Sequence, residues 1–141
     1  MPRFQLHPRL VEDCHRLGRF RLSHLLLHRN ASLPWLILVP ETTDGAGELH
    51  ELAPADRQAL VEEVDAVARA VKGLPDVQKV NVAAIGNLVP QLHVHVVGRH
   101  PGDPCWPGVV WGNLPSGPAW TAEDIAGMVA AVARSRPLER V

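Results

Sequence analysis

The spacing of apolar and polar residues divides the first third of the chain into a short helix and two strands. Residues 19–30 (RFRLSHLLLHRN) alternate in polarity and predict a strand, and residues 34–40 (PWLILVP) form a continuous apolar run that predicts a buried strand. The sequence RNAS between the runs is good turn chemistry, which favours an antiparallel hairpin. Residues 7–17 (HPRLVEDCHRL) predict a short helix entered through Pro8, and residues 41–48 (ETTDGAGE) predict a loop.

Helical periodicity follows in two places. Between residues 54 and 72, apolar side chains recur at spacings of three and four, which predicts a helix that ends at the following glycine and proline. The apolar positions are Leu60, Val64, Val67 and Val71. Charged residues on the other faces, Glu63 among them, are expected to be solvated. A C-terminal helix is predicted over about residues 121–134, with Thr121 as its N-cap and Asp124 three positions later.

Two further strands are predicted between these helices. Residues 77–85 (VQKVNVAAI) and residues 91–97 (QLHVHVV) are separated by the turn-forming sequence GNLVP, whose proline fits the opening of the second strand. The order helix, hairpin, long helix, two strands, helix predicts an α+β fold with an antiparallel sheet. The length of 141 residues fits a single domain over residues 1–141.

Composition excludes several classes of function. Apolar residues make up 46% of the chain and charged residues 21%, which is ordinary for a globular protein. The formal net charge of −1 gives no overall field that would favour long nucleic acid or an acidic membrane. The longest apolar stretch, LPWLILVP, is too short to span a bilayer. Cys14 and Cys105 are too few for a disulfide framework, and the N-terminus has no signal-peptide core, so we expect a cytoplasmic protein.

The predicted strand over residues 91–97 carries an unusual polar face. Strand geometry places Gln91, His93 and His95 on one side and apolar residues on the other. Neighbouring side chains on one face are about 6–7 Å apart, a distance at which a row of them can surround one phosphate. Neutral imidazole is a good nucleophile towards phosphorus, provided that a partner orients the ring and one nitrogen keeps the proton.

Two other interpretations of this histidine pair are open. The histidines could be ordinary satisfied residues of a sheet, although two in alternation after a glutamine favour a site. A His-x-His strand can also present two imidazoles to one metal ion, for which His24, His28 or His50 would have to supply a further ligand. These histidines do not stand in a recognisable ligand spacing.

The motif QLHVHVVGR resembles the signature of the histidine triad (HIT) family, in which three histidines alternate with apolar residues on one strand. The similarity extends to PWLILVPE, to KVNVAAIGNLVP and to CWPG, and it covers about residues 22–112. The resemblance implies a HIT-like fold, with an antiparallel sheet of about five strands, one long helix and a C-terminal helix. It also implies a homodimer.

The same resemblance implies an activity. Proteins of this family are nucleotide hydrolases and nucleotidyltransferases that act at the α-phosphate through a covalent nucleotidyl-histidine. The residue that matches the nucleophile is His93. His95 matches the histidine that donates hydrogen bonds to phosphate oxygens and helps the leaving group depart. The ligand would be a small-molecule nucleotide. A metal is not required at the protein, although a polyphosphate substrate can arrive with Mg²⁺.

The chain departs from the family pattern at two positions. Gln91 replaces the first histidine of the triad; its main-chain carbonyl can still orient the ring of His93, but an ionisable ring is lost. The turn before the triad usually offers a hydroxyl or a glutamine, but Leu88 in this turn has no hydroxyl, which weakens proton delivery to an amine leaving group. We therefore expect phosphoanhydrides such as dinucleoside polyphosphates to be preferred over phosphoramidates.

Four further residues are candidates for contacts with the nucleotide or its phosphate: Asn81, Asn87, Trp35 and Arg99. Each has an ordinary structural alternative, since Asn81 can lie at the surface, Asn87 can serve the turn and Trp35 can belong to the core. Arg99 can cap the strand end in solvent. The alternatives to an enzyme are a nucleotide-binding regulatory module that keeps the pocket without turnover, and a metal-binding protein that uses His93 and His95.

Overall fold

A single antiparallel sheet organises the computed structural model, which describes residues 3–43 and 45–141. In these residues the sheet has six strands in the order β4-β5-β3-β2-β1-β6. The strands are β1 (Cys14–Arg19), β2 (Ser23–His28), β3 (Trp35–Pro40), β4 (Lys79–Ala83), β5 (Val94–Arg99) and β6 (Glu139–Arg140). The helices are α1 (Pro8–Asp13), α2 (Pro54–Lys72) and α3 (Ala122–Ser135), with a short 3-10 helix at Leu49–Glu51. Asp44, in the loop predicted over 41–48, lies outside the described residues.

Both faces of the sheet are covered, which explains why β3 is apolar at every position. One face packs against α2 and α3 through side chains such as Leu36, Leu38 and Val96. The opposite face, which includes Ile37 and Val97, is covered by the N-terminal residues and by the segment after β5. No described helix is long and apolar enough to cross a membrane.

The N-terminal elements differ from the sequence prediction. The helix predicted over residues 7–17 ends at Asp13, and the chain continues as β1, which was not predicted. Cys14 and Leu17 are three positions apart, a spacing that also fits one face of a helix, but they are buried on opposite faces of the sheet. The strand predicted over residues 19–30 is interrupted by the turn between β1 and β2, closed by a 2.8 Å hydrogen bond from the Phe20 amide to the Ser23 carbonyl.

The two longer helices agree closely with their patterns. The helix predicted over residues 54–72 is α2, and the C-terminal helix is α3, whose Thr121 side chain accepts a 3.0 Å hydrogen bond from the Asp124 amide. The expectation that Glu63 is solvated was wrong. Its carboxylate is fully buried and accepts hydrogen bonds from the amides of Leu22 (2.9 Å) and Ser23 (3.0 Å), so it ties α2 to the β1–β2 turn.

Candidate active site

A cavity of about 350 Å³ opens on the sheet face opposite the two long helices, within the range typical of small-molecule sites. Besides the segment that carries His93 and His95, four parts of the chain line it: α1 with the start of β1, the facing ends of β2 and β3, the loop over residues 85–89, and residues 111–112. His93 and His95 both line this cavity, although each is only 6% exposed. The structure therefore brings the two predicted histidines to one concave site.

The ring of His93 is oriented by the main chain. Its Nδ1 lies 2.7 Å from the carbonyl oxygen of Gln91. Because a carbonyl oxygen only accepts hydrogen bonds, Nδ1 carries the proton, and Nε2 of the neutral ring is left with a free lone pair. This is the arrangement that a histidine nucleophile needs.

The ring of His95 is held in the opposite tautomer. Its Nδ1 accepts a 3.0 Å hydrogen bond from the indole N–H of Trp35. Since indole can only donate, the proton of neutral His95 resides on Nε2. Burial, with the neighbouring His93 and His28, lowers the pKa of His95 from 6.5 to about 3, so this residue is a neutral hydrogen-bond donor near neutral pH.

The two rings therefore offer complementary groups side by side. Their centroids are 4.8 Å apart, and the planes meet at 72°. One ring supplies an unprotonated nitrogen and the other supplies an N–H that can meet a phosphate oxygen. Trp111 closes one side of the pair, with its ring 5.4 Å from that of His95. Fixed donors in a mostly buried site stabilise developing negative charge more strongly than donors in water.

The side chain of Gln91 does not join this pair, so the expected row of three polar groups around a phosphate is wrong. β5 begins only at Val94, and Gln91 therefore precedes the ladder that would have kept the alternation. Its amide turns to the N-terminal segment, accepting a hydrogen bond from the amide of His7 (2.8 Å) and donating one to the carbonyl of Gln5 (2.9 Å). Only the main-chain carbonyl of Gln91 faces the site, where it holds His93.

Arg99 and Asn81, the two candidates for a phosphate contact on β4 and β5, are engaged elsewhere in the structure. Arg99 is 1% exposed, and its guanidinium forms two hydrogen bonds with the carboxylate of Asp103 (2.7 and 3.1 Å). It also donates to the side-chain oxygen of Asn81 (2.8 Å) and to the carbonyl of Gly108 (2.7 Å). Both predicted residues therefore fasten the segment after β5 to the sheet, and neither lines the cavity.

Asp103 is the partner that the sequence did not reveal. Burial opposes its ionisation, but hydrogen bonds from Arg99 and from the amides of Cys105 and His100 outweigh that cost and lower the pKa of Asp103 to about 2. The arginine is thus neutralised inside the fold. Its charge is not available to a ligand.

The remaining candidates line the cavity. Asn87 does so from the loop before the triad, next to Gly86, whose φ of 72° requires a glycine-like conformation. Trp35 is neither plain core nor a free stacking platform, because its N–H holds His95 and its ring stacks on His28 with centroids 4.3 Å apart. Sequence reasoning considered His28 only as a possible metal ligand.

Arg9, Leu10 and Asp13 of α1 were also missed. They precede the residues over which the motif resemblance was recognised, and nothing in a short amphipathic helix shows which cavity its side chains reach. The Nε of Arg9 lies 3.9 Å from Oδ2 of Asp13, so the charge of Arg9 is partly compensated by that carboxylate.

The metal interpretation lacks a third ligand in the structure. Across residues 3–43 and 45–141, no group of three His, Cys, Asp or Glu side chains is placed to hold a metal ion. Of the three histidines considered, His24 is hydrogen-bonded to Glu41 at 3.2 Å, His28 is stacked on Trp35, and His50 lies within the 3-10 helix.

Comparison with known proteins agrees with this architecture. The family model described as HIT domain matches residues 9–102. Solved structures of histidine triad proteins are similar over almost the whole chain. One from Bradyrhizobium japonicum is 40% identical, with 95% of this chain and 98% of that chain covered and a TM-score of 0.87. One from Marinobacter aquaeolei VT8 is 42% identical, with 95% and 96% covered and a TM-score of 0.86.

A third histidine triad protein, from Sinorhizobium meliloti 1021, is 39% identical, with 94% and 96% of the two chains covered and a TM-score of 0.86. A comparison with curated proteins gave no match. The prediction of an α+β HIT fold with an antiparallel sheet is confirmed by these similarities. The family match covers most of the chain, and this protein therefore belongs to the HIT domain family.

Proposed function

We propose that the protein is a nucleotide hydrolase or nucleotidyltransferase that acts at the α-phosphate through a covalent nucleotidyl-His93. The HIT family includes nucleotide hydrolases and transferases. The observation that carries the proposal is the pairing of an unprotonated Nε2 on His93 with an N–H on His95 at one cavity. A nucleophile and a donor to the same phosphate are the two groups that this reaction requires.

The reaction runs in two displacements. The lone pair of His93 Nε2 attacks phosphorus, the bond to the leaving oxygen breaks, and that oxygen takes the electron pair. The Nδ1–H of His93 continues to donate its hydrogen bond to the Gln91 carbonyl oxygen, and this hydrogen bond stabilises the positive charge of the modified ring. The N–H of His95 donates to a phosphate oxygen throughout. A water or another acceptor then attacks phosphorus, the P–N bond breaks, and the proton of the acceptor passes to solvent.

The charges of the site favour a leaving group that departs without a proton. His95, with its pKa lowered to about 3 by burial first and then by His93 and His28, is not an acid near neutral pH. Leu88 is 73% exposed beside the cavity and has no hydroxyl to relay a proton. A phosphate leaving group needs little such help, whereas an amine does. These features support a phosphoanhydride such as a dinucleoside polyphosphate as substrate.

Arg9 is the one Lys or Arg side chain among the described residues that line the cavity, and Asp13 lies 3.9 Å from it. The charge of a polyphosphate would therefore have to be met largely by accompanying Mg²⁺. No step of the proposed reaction needs a metal ligand from the protein.

A comparison of two substrates tests the preference for an anhydride. We expect kcat/KM for a diadenosine polyphosphate with Mg²⁺ to exceed that for an adenosine phosphoramidate by about tenfold or more, because only the amine must be protonated as it leaves. Both rates would be measured by chromatography of the released AMP, with acid-labile adenylate on the protein trapped in parallel. Faster cleavage of the phosphoramidate would reverse the preference.

The second candidate is a non-catalytic nucleotide-binding module. It is favoured by one observation: with Gln91 in place of a histidine and the pKa of His95 lowered to about 3, the motif has lost groups that could manage protons. Both candidates predict that AMP raises the melting temperature. Only the enzyme forms an adenylate adduct, and the absence of adduct and product would favour the binding module.

We also propose a homodimer formed through β4. This strand is an outer strand of the sheet, so one row of its main-chain groups faces away from β5. Val82 is 50% exposed on it, and Ile85 and Leu88, just beyond, are 43% and 73% exposed. Pairing of two copies along this edge would cover these side chains. Sedimentation equilibrium at micromolar concentration should give twice the monomer mass, and a monomer there would contradict the proposal.

A further inference from the structure

The side chain of Gln91 pairs with main-chain groups that lie far away in the sequence. Its oxygen accepts from the amide of His7, 84 positions earlier, and its nitrogen donates to the carbonyl of Gln5, 86 positions earlier. In an extended chain, the carbonyl of one residue and the amide of the next but one point to the same side. The carboxamide therefore pairs with residues 5 and 7 in the manner of a neighbouring strand.

Among the described residues, the segment that Gln91 holds is the first to contact the sheet. We call residues 4–13 the N-terminal strap. Leu6 and Leu10 of the strap are 8% and 5% exposed and pack in the same core cluster as Val89. Phe4 stacks on His24 with ring centroids 5.1 Å apart. His7, between these contacts, caps α1 by accepting a 3.1 Å hydrogen bond from the amide of Arg9.

The strap supplies one wall of the cavity. Arg9, Leu10 and Asp13 line it from α1, directly after the two residues that Gln91 holds. If His93 and His95 take the phosphate, the rest of a nucleotide must lie along the remaining lining, of which this wall is a part. The position of the wall then affects the affinity for the nucleoside part.

We propose that Gln91 is a positioning residue whose carboxamide sets this wall and thereby controls nucleotide affinity. The inference rests on one part of the proposed function, namely that the cavity binds a nucleotide. Two groups of Gln91 then have different roles. The main-chain carbonyl orients His93, and the side chain holds the strap.

A histidine at position 91 could not hold the strap in this way. The donor and acceptor of a carboxamide are adjacent and point the same way, whereas the two nitrogens of an imidazole point away from each other. One imidazole therefore cannot pair with the His7 amide and the Gln5 carbonyl together. The replacement of the first triad histidine exchanges an ionisable ring for a contact that shapes the cavity.

Two variants test the inference. Gln91→Glu keeps the size and the acceptor for the His7 amide, but it removes the donor and places a carboxylate oxygen against the Gln5 carbonyl. Gln91→His restores the residue type of the resembling motif and loses the paired contact. Gln58→Glu makes the same chemical change on an exposed position of α2 and serves as the control. All three keep the main-chain carbonyl at position 91.

The measurements are the Kd for AMP by calorimetry, amide hydrogen exchange over residues 4–13, and kcat with KM for the anhydride substrate. We expect both Gln91 variants to bind AMP about tenfold more weakly, which is about 1.4 kcal/mol. Exchange should be faster within the strap, KM should rise, and kcat should stay within about threefold, because the carbonyl that orients His93 remains. Gln58→Glu should match the wild-type protein in every measurement.

Unchanged AMP affinity in the Gln91 variants would overturn the inference, whether or not strap exchange is faster. A fall in kcat without a rise in KM would also overturn it, since Gln91 would then act on the chemistry. A wild-type protein that binds AMP without turnover would contradict the proposed enzymatic function, but the inference about the strap would survive that result. A wild-type protein that binds no AMP would overturn both.

Discussion

Replacement of His93 with alanine should abolish turnover and the acid-labile adenylate adduct while AMP still binds. The nucleophile is the imidazole itself, and its Nε2 is the unprotonated nitrogen of the His93–His95 pair. Removal of a nucleophile typically costs about 10³-fold or more in kcat. The His95 N–H, held by Trp35, remains to bind phosphate oxygens, so the Kd for AMP should change by less than about tenfold.

The matched control is His15→Ala. His15 lies on β1, forms a 3.3 Å contact with Arg29 and does not line the cavity. It should keep wild-type turnover and adduct. Circular dichroism and a urea titration would show that His93→Ala remains folded. Adduct on the His93→Ala protein, or kcat within about tenfold of wild type, would mean that another group attacks phosphorus.

The sequence was most informative where burial is periodic. The patterns for α2 and α3 predicted both helices because each helix has one apolar stripe that packs into the core. β1 was missed because a strand buried on both faces shows apolar residues at spacings that also fit a helix. The same covering of both faces gave β3 its unbroken apolar run, which was interpreted correctly.

The sequence predicted the placement of groups that depends on local geometry, but it did not predict the placement of side chains that a distant partner determines. His93 and the carbonyl of Gln91 are two residues apart, and the motif alone placed them together. The side chain of Gln91 and that of Arg99 are satisfied by residues 5–7 and by Asp103, and no alternation pattern could reveal these partners. Whether a polar side chain faces a cavity or a buried partner depends on the tertiary fold.

The second large effect is expected for Trp35→Phe, which removes the N–H that fixes the tautomer of His95. The ring of Trp35 stacks on that of His28 with centroids 4.3 Å apart, and phenylalanine keeps an aromatic ring there. Phenylalanine cannot, however, donate a hydrogen bond to His95 Nδ1. His95 can then place its proton on Nδ1 and turn a bare nitrogen towards the phosphate. We expect kcat to fall about 10- to 100-fold, because a donor to the reacting phosphate is misoriented or lost.

A tautomer change is distinguished from a general loss of structure by nitrogen NMR of the His95 ring. The wild-type ring should show the Nε2–H form, and Trp35→Phe should show a mixture of both forms. Trp120→Phe is the control, because it also removes an indole N–H. This N–H donates to the His28 carbonyl at 2.8 Å, and Trp120 does not line the cavity. It should lower stability comparably while kcat stays near wild type.

The pH profile gives an independent check on the role of His95. Burial, followed by the effects of His93 and His28, lowers the pKa of this ring to about 3, so it is neutral at every pH above that value and gains a proton only as pH falls through it. The wild-type kcat should therefore show no titration of His95 between about pH 5 and pH 8, and His95 acts there as a donor rather than as an acid. The contrary result would be a wild-type kcat that rises on acidification through about pH 6, together with a Trp35→Phe variant that shows no such rise. His95 would then be delivering a proton to the leaving group, and the preference for an anhydride would lose its physical basis.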